Sequence, residues 1–145
     1  MKFLSNEMLD EMMKRAEEDP ELPEKLKELT IRLLMVGTDC PGNEDRQYTV
    51  IVTDGKLISI EMEIQSAPSE LRTAPFDKTK FDSRVLCPYE TLLDLVQERI
   101  SMVASLGKVK IDGDLPTLMT QIEGFIAFLQ FMNTLPLEYL FQFPR

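Results

Sequence analysis

Two carboxylates, Glu61 and Glu63, stand two residues apart in a stretch of alternating apolar and polar residues. This spacing places both side chains on one face of a β-strand, where paired carboxyl groups could act as general acid and general base. Such chemistry requires that one of the two groups be desolvated, so that its pKa rises. Because the neighbouring aliphatic side chains take the opposite face, we predict two solvated glutamates. A carboxylate-based isomerase is therefore the last of three functional hypotheses.

Other catalytic and metal-binding patterns each lack a necessary part. The sequence contains no histidine, the commonest general base and a frequent zinc ligand, and no Gly-x-Ser-x-Gly motif surrounds a serine. Cys40 and Cys87 are too few and too widely separated for a disulfide framework or a zinc site, so we predict two reduced, unreactive thiols. Asp112-Gly113-Asp114 lacks the remaining positions of a calcium loop. The sequence predicts no catalytic residue, no metal and no cofactor.

The composition excludes further classes of function. Across 145 residues the chain carries 16 basic and 25 acidic side chains, for a net charge of -9, which disfavours binding to nucleic acid or to an anionic membrane. No apolar run approaches the roughly 20 residues of a transmembrane helix, and the first residues turn acidic too early for a signal peptide. We expect one cytoplasmic domain over residues 1–145.

The first half of the chain predicts one helix followed by strands. Ser5 or Asn6 can cap a helix with an apolar face, and a further helical turn or two falls within residues 21–29. Residues 30–36 predict a strand. Residues 37–46 are polar and contain Pro41 and Gly42, which predicts a solvated turn, with its acidic side chains in water.

A β-hairpin gives the clearest local signal. Two strand-like runs, residues 48–53 and 57–64, flank Asp54-Gly55, a dipeptide typical of two-residue hairpin turns. The second run places Ile58, Ile60, Met62 and Ile64 on one predicted buried face. The polar residues 66–80 then predict a long loop, either mobile or covering another part of the fold.

The stretch Gly107–Leu115 lies between two apolar-faced segments. The spacing of Leu92, Val96, Ile100, Val103 and Leu106 predicts one helix that Gly107 ends in a left-handed conformation. Val109 and Ile111 predict a half-buried strand, and Asp114 can cap a second helix. The apolar stripe of that second helix consists of Leu115, Leu118, Met119, Ile122, Phe125, Ile126, Leu129 and Met132.

Together these elements predict an α+β fold. We expect about five strands in a mainly antiparallel sheet, including a strand at residues 81–86, with helices covering one face. The second helix is apolar nearly all round, since Phe128 and Phe131 lie outside its stripe, and the terminal segment 133–145 is also apolar. These surfaces require cover from the core, from a partner or from a bound apolar molecule.

The order of these elements, together with Gly-Lys-Val-Lys-Ile-Asp-Gly-Asp at residues 107–114, resembles the sterol carrier protein 2 (SCP-2) family. The resemblance covers about residues 22–132, and its sharpest part is similar to that family's Gly-Lys-Leu-x-Ile-x-Gly-Asp pattern. It implies a five-stranded sheet covered on one face by helices around a hydrophobic tunnel for sterols, fatty acids or acyl-coenzyme A, with no catalytic residues. The ending Phe-Pro-Arg, in place of a peroxisomal signal, suggests a stand-alone microbial member.

Candidate lipid-binding residues follow from this resemblance and from the two helical stripes. They are Val96, Ile100, Val103, Met119, Ile122, Phe125, Ile126, Phe128, Leu129 and Met132. The first hypothesis is a non-enzymatic carrier of a hydrophobic small molecule, in which the tail could also plug the tunnel. The alternative is an accessory module that forms a homodimer or assists a lipid- or quinone-handling enzyme. Its interface would consist of Phe128, Phe131, Tyr139, Phe141 and Phe143.

Overall fold

A computed structural model describes residues 5–135, apart from the side chain of Val103. Its centre is a five-stranded sheet in the order β3-β2-β1-β4-β5. The strands are Ile31–Cys40 (β1), Glu44–Thr53 (β2), Lys56–Ser66 (β3), Ser83–Pro88 (β4) and Lys110–Gly113 (β5). β1 and β4 run parallel, and the other three neighbouring pairs are antiparallel. The predicted α+β class and the mainly antiparallel sheet are confirmed.

Within residues 5–135, six α-helices accompany the sheet. They are Asn6–Glu18 (α1), Leu22–Lys25 (α2), Tyr89–Val96 (α3), Met102–Ser105 (α4), Leu115–Thr120 (α5) and Ile122–Asn133 (α6). In the buried core, helical side chains pack on one face of the sheet, and Leu33, Met35 and Val50 are among the sheet residues on that face. α1 contacts β3, while α3 contacts β1, β4 and α6. The helices therefore share one face of the sheet, as the sequence predicted.

The amino-terminal helices follow the sequence pattern closely. Ser5 caps α1 by accepting a hydrogen bond from the Met8 backbone nitrogen at 3.2 Å, and α1 buries Met8, Leu9 and Met12. The short α2 follows, and Leu22, Leu26 and Leu29 are all buried. A spacing of three and four residues was therefore sufficient to identify the inward faces of this region.

The predicted turn at residues 37–46 is wrong in its extent. β1 continues to Cys40 and β2 begins at Glu44, which leaves a turn of only a few residues around Gly42, where φ is +90°. Asp45, predicted to be solvated, is 0% exposed. It is buried because Arg72, from the loop that follows β3, supplies an ion pair that the local sequence does not reveal.

The Asp54-Gly55 hairpin is confirmed, but its second strand is irregular. Ile51 pairs with Ser59 while Val52 pairs with Leu57, so Ile58 has no direct partner. This bulge turns Ile58 outward, where it is 53% exposed, and Ile64 near the strand end is 43% exposed. The predicted inward face therefore holds only for Ile60 and Met62, which pack on the core.

Both long helices expected around Gly107 are interrupted. α3 ends at Val96 and the chain turns at Glu98, with φ +57°, before α4 begins at Met102. Gly107 lies in a 3-10 turn, Leu106–Lys108, and does not have positive φ, so the predicted left-handed stop is wrong. The second segment divides at Gln121 into α5 and α6. The predicted Asp114 cap is confirmed, since its side chain accepts from the Thr117 backbone nitrogen at 3.1 Å.

The loop between β3 and β4 covers the other face of the sheet. Its 3-10 turn, Glu70–Arg72, contacts β1 and β2. Arg84 on β4 is 5% exposed and donates to the Ala74 carbonyl oxygen at 2.6 Å and to Asp112 at 2.9 Å. Its guanidinium also lies 5.7 Å from the centre of the Phe76 ring. The sequence left open whether this loop is mobile or covers another part of the fold, and the structure shows that it covers the sheet.

α6 is apolar nearly all round because protein packs on two of its sides. Gly124 approaches the segment after α2 so closely that a Cβ there would lie 2.5 Å from the Leu26 carbonyl oxygen. Phe128, one turn later, is 2% exposed. Of the three kinds of cover that the sequence left open, the core itself therefore covers this side of α6, through the residues after α2.

Candidate functional site

An apolar cavity of about 200 Å³ lies between the sheet and the helices that follow β4. Side chains from β1, β4, β5, α3, α4, α5 and α6, with the 3-10 turn after α4, surround it. The lining consists of Met35, Val85, Leu92, Leu95, Met102, Ser105, Leu106, Val109, Ile111, Leu118, Met119, Ile122, Phe125, Ile126 and Leu129. The helical and strand stripes on either side of Gly107 therefore converge on one space.

The side chains that line this cavity are almost all apolar. Ser105 is the lining residue that carries a hydroxyl, and it is 0% exposed. Its Oγ donates to the Met102 carbonyl oxygen at 2.7 Å, so its proton is already bound within the chain. An apolar cavity of this kind does not hold water well, because water needs two to four polar partners. The cavity therefore suits an apolar guest.

Exposed apolar side chains mark the mouth of the cavity. Leu106, Met119 and Ile126 line it, and they are 42%, 43% and 36% exposed. Large apolar groups at the edge of a cavity are typical of ligand-binding grooves. The cavity therefore reaches the surface between the turn after α4 and the helices α5 and α6.

The break between α3 and α4 builds a second space beside the cavity. This space, which we call the vestibule, measures about 320 Å³ and is lined by Leu95, Glu98, Ile100, Ser101, Met102, Ile126, Leu129 and Gln130. Leu95, Met102, Ile126 and Leu129 line both spaces. A helix running straight from Leu92 to Leu106 would not form this vestibule, so the interruption shapes the site.

The candidate lipid-binding residues fall into three groups. Those that line the cavity are Met119, Ile122, Phe125, Ile126 and Leu129. Ile100 lines the vestibule. Val96, Phe128 and Met132 are between 0% and 3% exposed and line neither space. The side chain of Val103 lies outside the described part of the structure.

Sequence reasoning missed the strand residues of the site. Met35 and Val85 reach the cavity from β1 and β4, and Val109 and Ile111 reach it from the region of β5. The alternation of Val109 and Ile111 could have identified that pair as lining residues. Met35 and Val85 have no distinguishing local signal, because their positions depend on the pairing of β1 with β4.

The other candidate groups do not form a reactive site. Glu61 and Glu63 are both exposed, as predicted. Cys40 and Cys87 are buried free thiols, and burial raises the pKa of Cys40 to about 11 and that of Cys87 to about 12. Within residues 5–135, no group of three or more cysteine or acidic side chains is placed to hold a metal ion. No helix of the described chain has both the length and the apolar character needed to cross a bilayer.

The aromatic interface proposed for a partner is incomplete. Phe128 is buried and cannot reach a partner in this structure. Phe131 is partly buried against the core. Tyr139, Phe141, Phe143 and the rest of the predicted tail beyond Leu135 lie outside the described residues.

Comparisons with known structures find other proteins that have the same architecture. A solution structure of a conserved hypothetical protein from Thermus thermophilus, whose description suggests a sterol carrier protein, matches with a TM-score of 0.69 at 9% identity, covering 92% of this chain and 90% of that one. A crystal structure of sterol carrier protein 2 also matches at 0.69 and 9% identity, covering 91% and 98%. The sterol carrier protein domain 2 of Helicoverpa armigera matches at 0.50 and 15%, covering 84% and 87%. The sequence itself matches no family model and no curated protein.

These matches establish the fold. At identities of 9% to 15% they carry over the arrangement of strands and helices and not the ligand. The chain has the sterol carrier protein 2 fold, and the resemblance noted over about residues 22–132 is confirmed at that level.

Proposed function

We propose that this chain binds a hydrophobic, lipid-like molecule in the cavity and acts as a carrier and not as an enzyme. One observation supports the proposal above the others. A cavity with an apolar lining opens at Leu106, Met119 and Ile126, which are apolar side chains held partly in water. Such an arrangement is unfavourable until an apolar guest covers it.

The volume of the cavity limits how much of a lipid it can hold. Engineered apolar cavities of about 150 Å³ accept a molecule as small as benzene, so a space of about 200 Å³ holds only part of a lipid chain. The remainder would occupy the vestibule or displace the side chains of the mouth.

The expected affinity does not require a polar anchor. Burying a chain of about a dozen methylenes at about 0.8 kcal/mol each contributes on the order of 10 kcal/mol. Association costs several kcal/mol or more in lost freedom. Micromolar binding is therefore reasonable. The names of the sterol carrier proteins that share the fold agree with this class of ligand, and fatty acids, acyl-coenzyme A and sterol-like molecules are the predicted candidates.

Uptake of diphenylhexatriene, an uncharged apolar fluorophore, by the delipidated full chain tests the proposal. We expect saturable binding, and native mass spectrometry of the protein as purified should show a co-purifying apolar molecule. Ile122→Trp, which fills the cavity, should weaken uptake at least about fivefold through steric exclusion. Ile58→Trp is the matched control, since Ile58 is 53% exposed on β3 and lines neither space. A correctly folded protein with no saturable uptake would exclude the carrier function.

The partner alternative remains a proposal of lower priority. Phe128 is not available to it, and no contact within residues 5–135 favours a particular partner. A change in sedimentation after Phe131→Asp, with diphenylhexatriene uptake unchanged, would support it.

A further inference from the structure

The vestibule carries polar groups at one end of an otherwise apolar site. Three of its lining residues are polar, namely Glu98, Ser101 and Gln130, and the other five are apolar. In the adjoining cavity, the polar side-chain group that the described residues contribute is the internally bonded Ser105 hydroxyl. A ligand that spans both spaces would meet hydrocarbon along its length and hydrogen-bonding groups at one end.

The polar groups of the vestibule still have hydrogen-bonding capacity. Gln130 Nε2 donates to Glu98 Oε1 at 2.9 Å, which leaves the second carboxylate oxygen of Glu98 able to accept. Ser101 Oγ accepts from the Ala104 backbone nitrogen at 3.1 Å, and its hydroxyl proton can be donated. Glu98 can therefore accept a hydrogen bond from a ligand hydroxyl, and Ser101 can donate one to it.

The charge of the vestibule is unfavourable to an anion. Among the residues that the structure describes, Glu98 is the charged residue of its lining, and no Lys or Arg contributes to it. The neighbouring Arg99 is directed elsewhere, because its Nη2 lies 2.8 Å from Asp94 Oδ1. The whole chain also carries a net charge of -9. A carboxylate or phosphate headgroup placed here would face Glu98 without a compensating cation.

The two spaces adjoin each other, so one molecule that reaches past the side chains between them would occupy both. Their four shared lining residues come from α3, α4 and α6. One of them, Ile126, is 36% exposed and could yield to a passing chain. Since the cavity alone is too small for a long chain, the headgroup end would come to rest in the vestibule.

We propose that the ligand is a single-chain lipid with an uncharged, hydrogen-bonding headgroup, of the class of long-chain alcohols, whose headgroup lies between Glu98 and Ser101. This inference rests on the proposed lipid binding and narrows it: the site discriminates against fatty acids and acyl phosphates. Glu98 is then the residue that determines specificity.

Competition against bound diphenylhexatriene in the full chain at pH 7.5 tests this inference. We expect 1-dodecanol to displace the probe at an about fivefold lower concentration than dodecanoate, the scale of a like-charge contact at an exposed side chain such as Glu98. Glu98→Gln should bring dodecanoate within about twofold of dodecanol. Glu123→Gln is the control, because Glu123 is exposed on the same helix as Gln130 and lines neither space.

The outcomes separate the two proposals. Equal displacement by dodecanol and dodecanoate in the unmodified protein overturns the headgroup preference and leaves lipid binding intact. An unchanged preference in Glu98→Gln likewise overturns the role of Glu98. Failure of the probe itself to bind, measured before any competitor is added, overturns lipid binding and the inference with it.

Discussion

Arg72 holds Asp45 by two hydrogen bonds, with Nε 2.8 Å from Oδ2 and Nη2 2.9 Å from Oδ1. Ser69 adds two more donors to the same carboxylate, from its backbone nitrogen at 3.0 Å and from its hydroxyl at 2.7 Å. Asp45 is completely buried at the start of β2, whereas Arg72 and Ser69 belong to the loop after β3. This cluster therefore fixes the covering loop to the outer face of the sheet.

Asp45→Asn should destabilise the fold by about 2 kcal/mol or more, because it removes the charge that Arg72 pairs with. The Arg72 hydrogen bonds hold the pKa of Asp45 well below its ordinary value of 3.8. Because its pKa is lower in the folded state, ionised Asp45 stabilises the fold at any pH above its unfolded-state pKa. This stabilisation is lost as the pH falls below the unfolded-state pKa and through the folded-state pKa. Urea unfolding should therefore show a constant difference between wild type and Asp45→Asn from pH 8 to 5 and a smaller one below pH 4.

Asp39→Asn is the matched control for this measurement. Asp39 accepts from the same Arg72 Nη2 at 2.9 Å, but its side chain is 69% exposed. Exposed ion pairs contribute about 1 kcal/mol or less. If the two variants lost equal stability, the burial of Asp45 would not explain the destabilisation by Asp45→Asn.

A pair of glycine substitutions tests the structure around β5. Gly113 has φ +101°, and a Cβ there would overlap the Asp82 carbonyl oxygen. Gly107 does not have positive φ, and nothing lies within 4 Å of the position of its Cβ. Gly113→Ala should therefore cost about 2 kcal/mol or more, whereas Gly107→Ala should be neutral or stabilise by up to about 1 kcal/mol. Thermal unfolding measures both changes in stability. A large loss of stability in Gly107→Ala would indicate that Gly107 has the left-handed conformation that the sequence predicted.

The Gly107 region also shows which features a sequence pattern can identify. Asp114 was recognisable as a helix cap, because capping depends on residues within one helical turn. The helix break at Glu98 was not, because the apolar spacing continues through it. Part of what stabilises the break is distant in sequence, namely the hydrogen bond from Gln130 on α6 to Glu98.

The same distinction applies to the candidate site. The apolar stripe from Met119 to Leu129 identified half of the candidate residues as cavity-lining side chains, since they repeat on one helical face. Phe128 does not line the cavity, because it lies on the opposite face of α6, where Gly124 packs against Leu26 and Leu29 after α2. Local periodicity thus predicts which side of a helix is apolar, while tertiary packing decides whether that side meets a cavity or the core.

Both cysteines should resist thiol reagents in the folded protein. Burial raises the pKa of Cys40 to about 11, so about one thiol in a thousand is ionised at pH 8, and Cys87 should be ionised less. Iodoacetamide labelling followed by mass spectrometry should give little product in buffer and two additions in urea. A Ser66→Cys variant, with its thiol at an exposed position, should react rapidly in buffer. Fast labelling of Cys40 or Cys87 without denaturant would contradict their placement.

Two neighbouring positions on α6 separate core packing from ligand binding. Phe128 is 2% exposed and lines neither the cavity nor the vestibule, whereas Ile126 is 36% exposed and lines both. Phe128→Ala should cost about 3–5 kcal/mol, since it leaves a void in the core.

Ile126→Ala should cost about 1 kcal/mol or less, because its side chain is already partly in water, yet it should weaken diphenylhexatriene uptake at least about threefold by removing apolar contact at the mouth. Urea unfolding and probe titration on both variants make the comparison. If uptake by Ile126→Ala matched that of wild type while the fold was intact, the mouth of the cavity would have to lie elsewhere than between the turn after α4 and the helices α5 and α6.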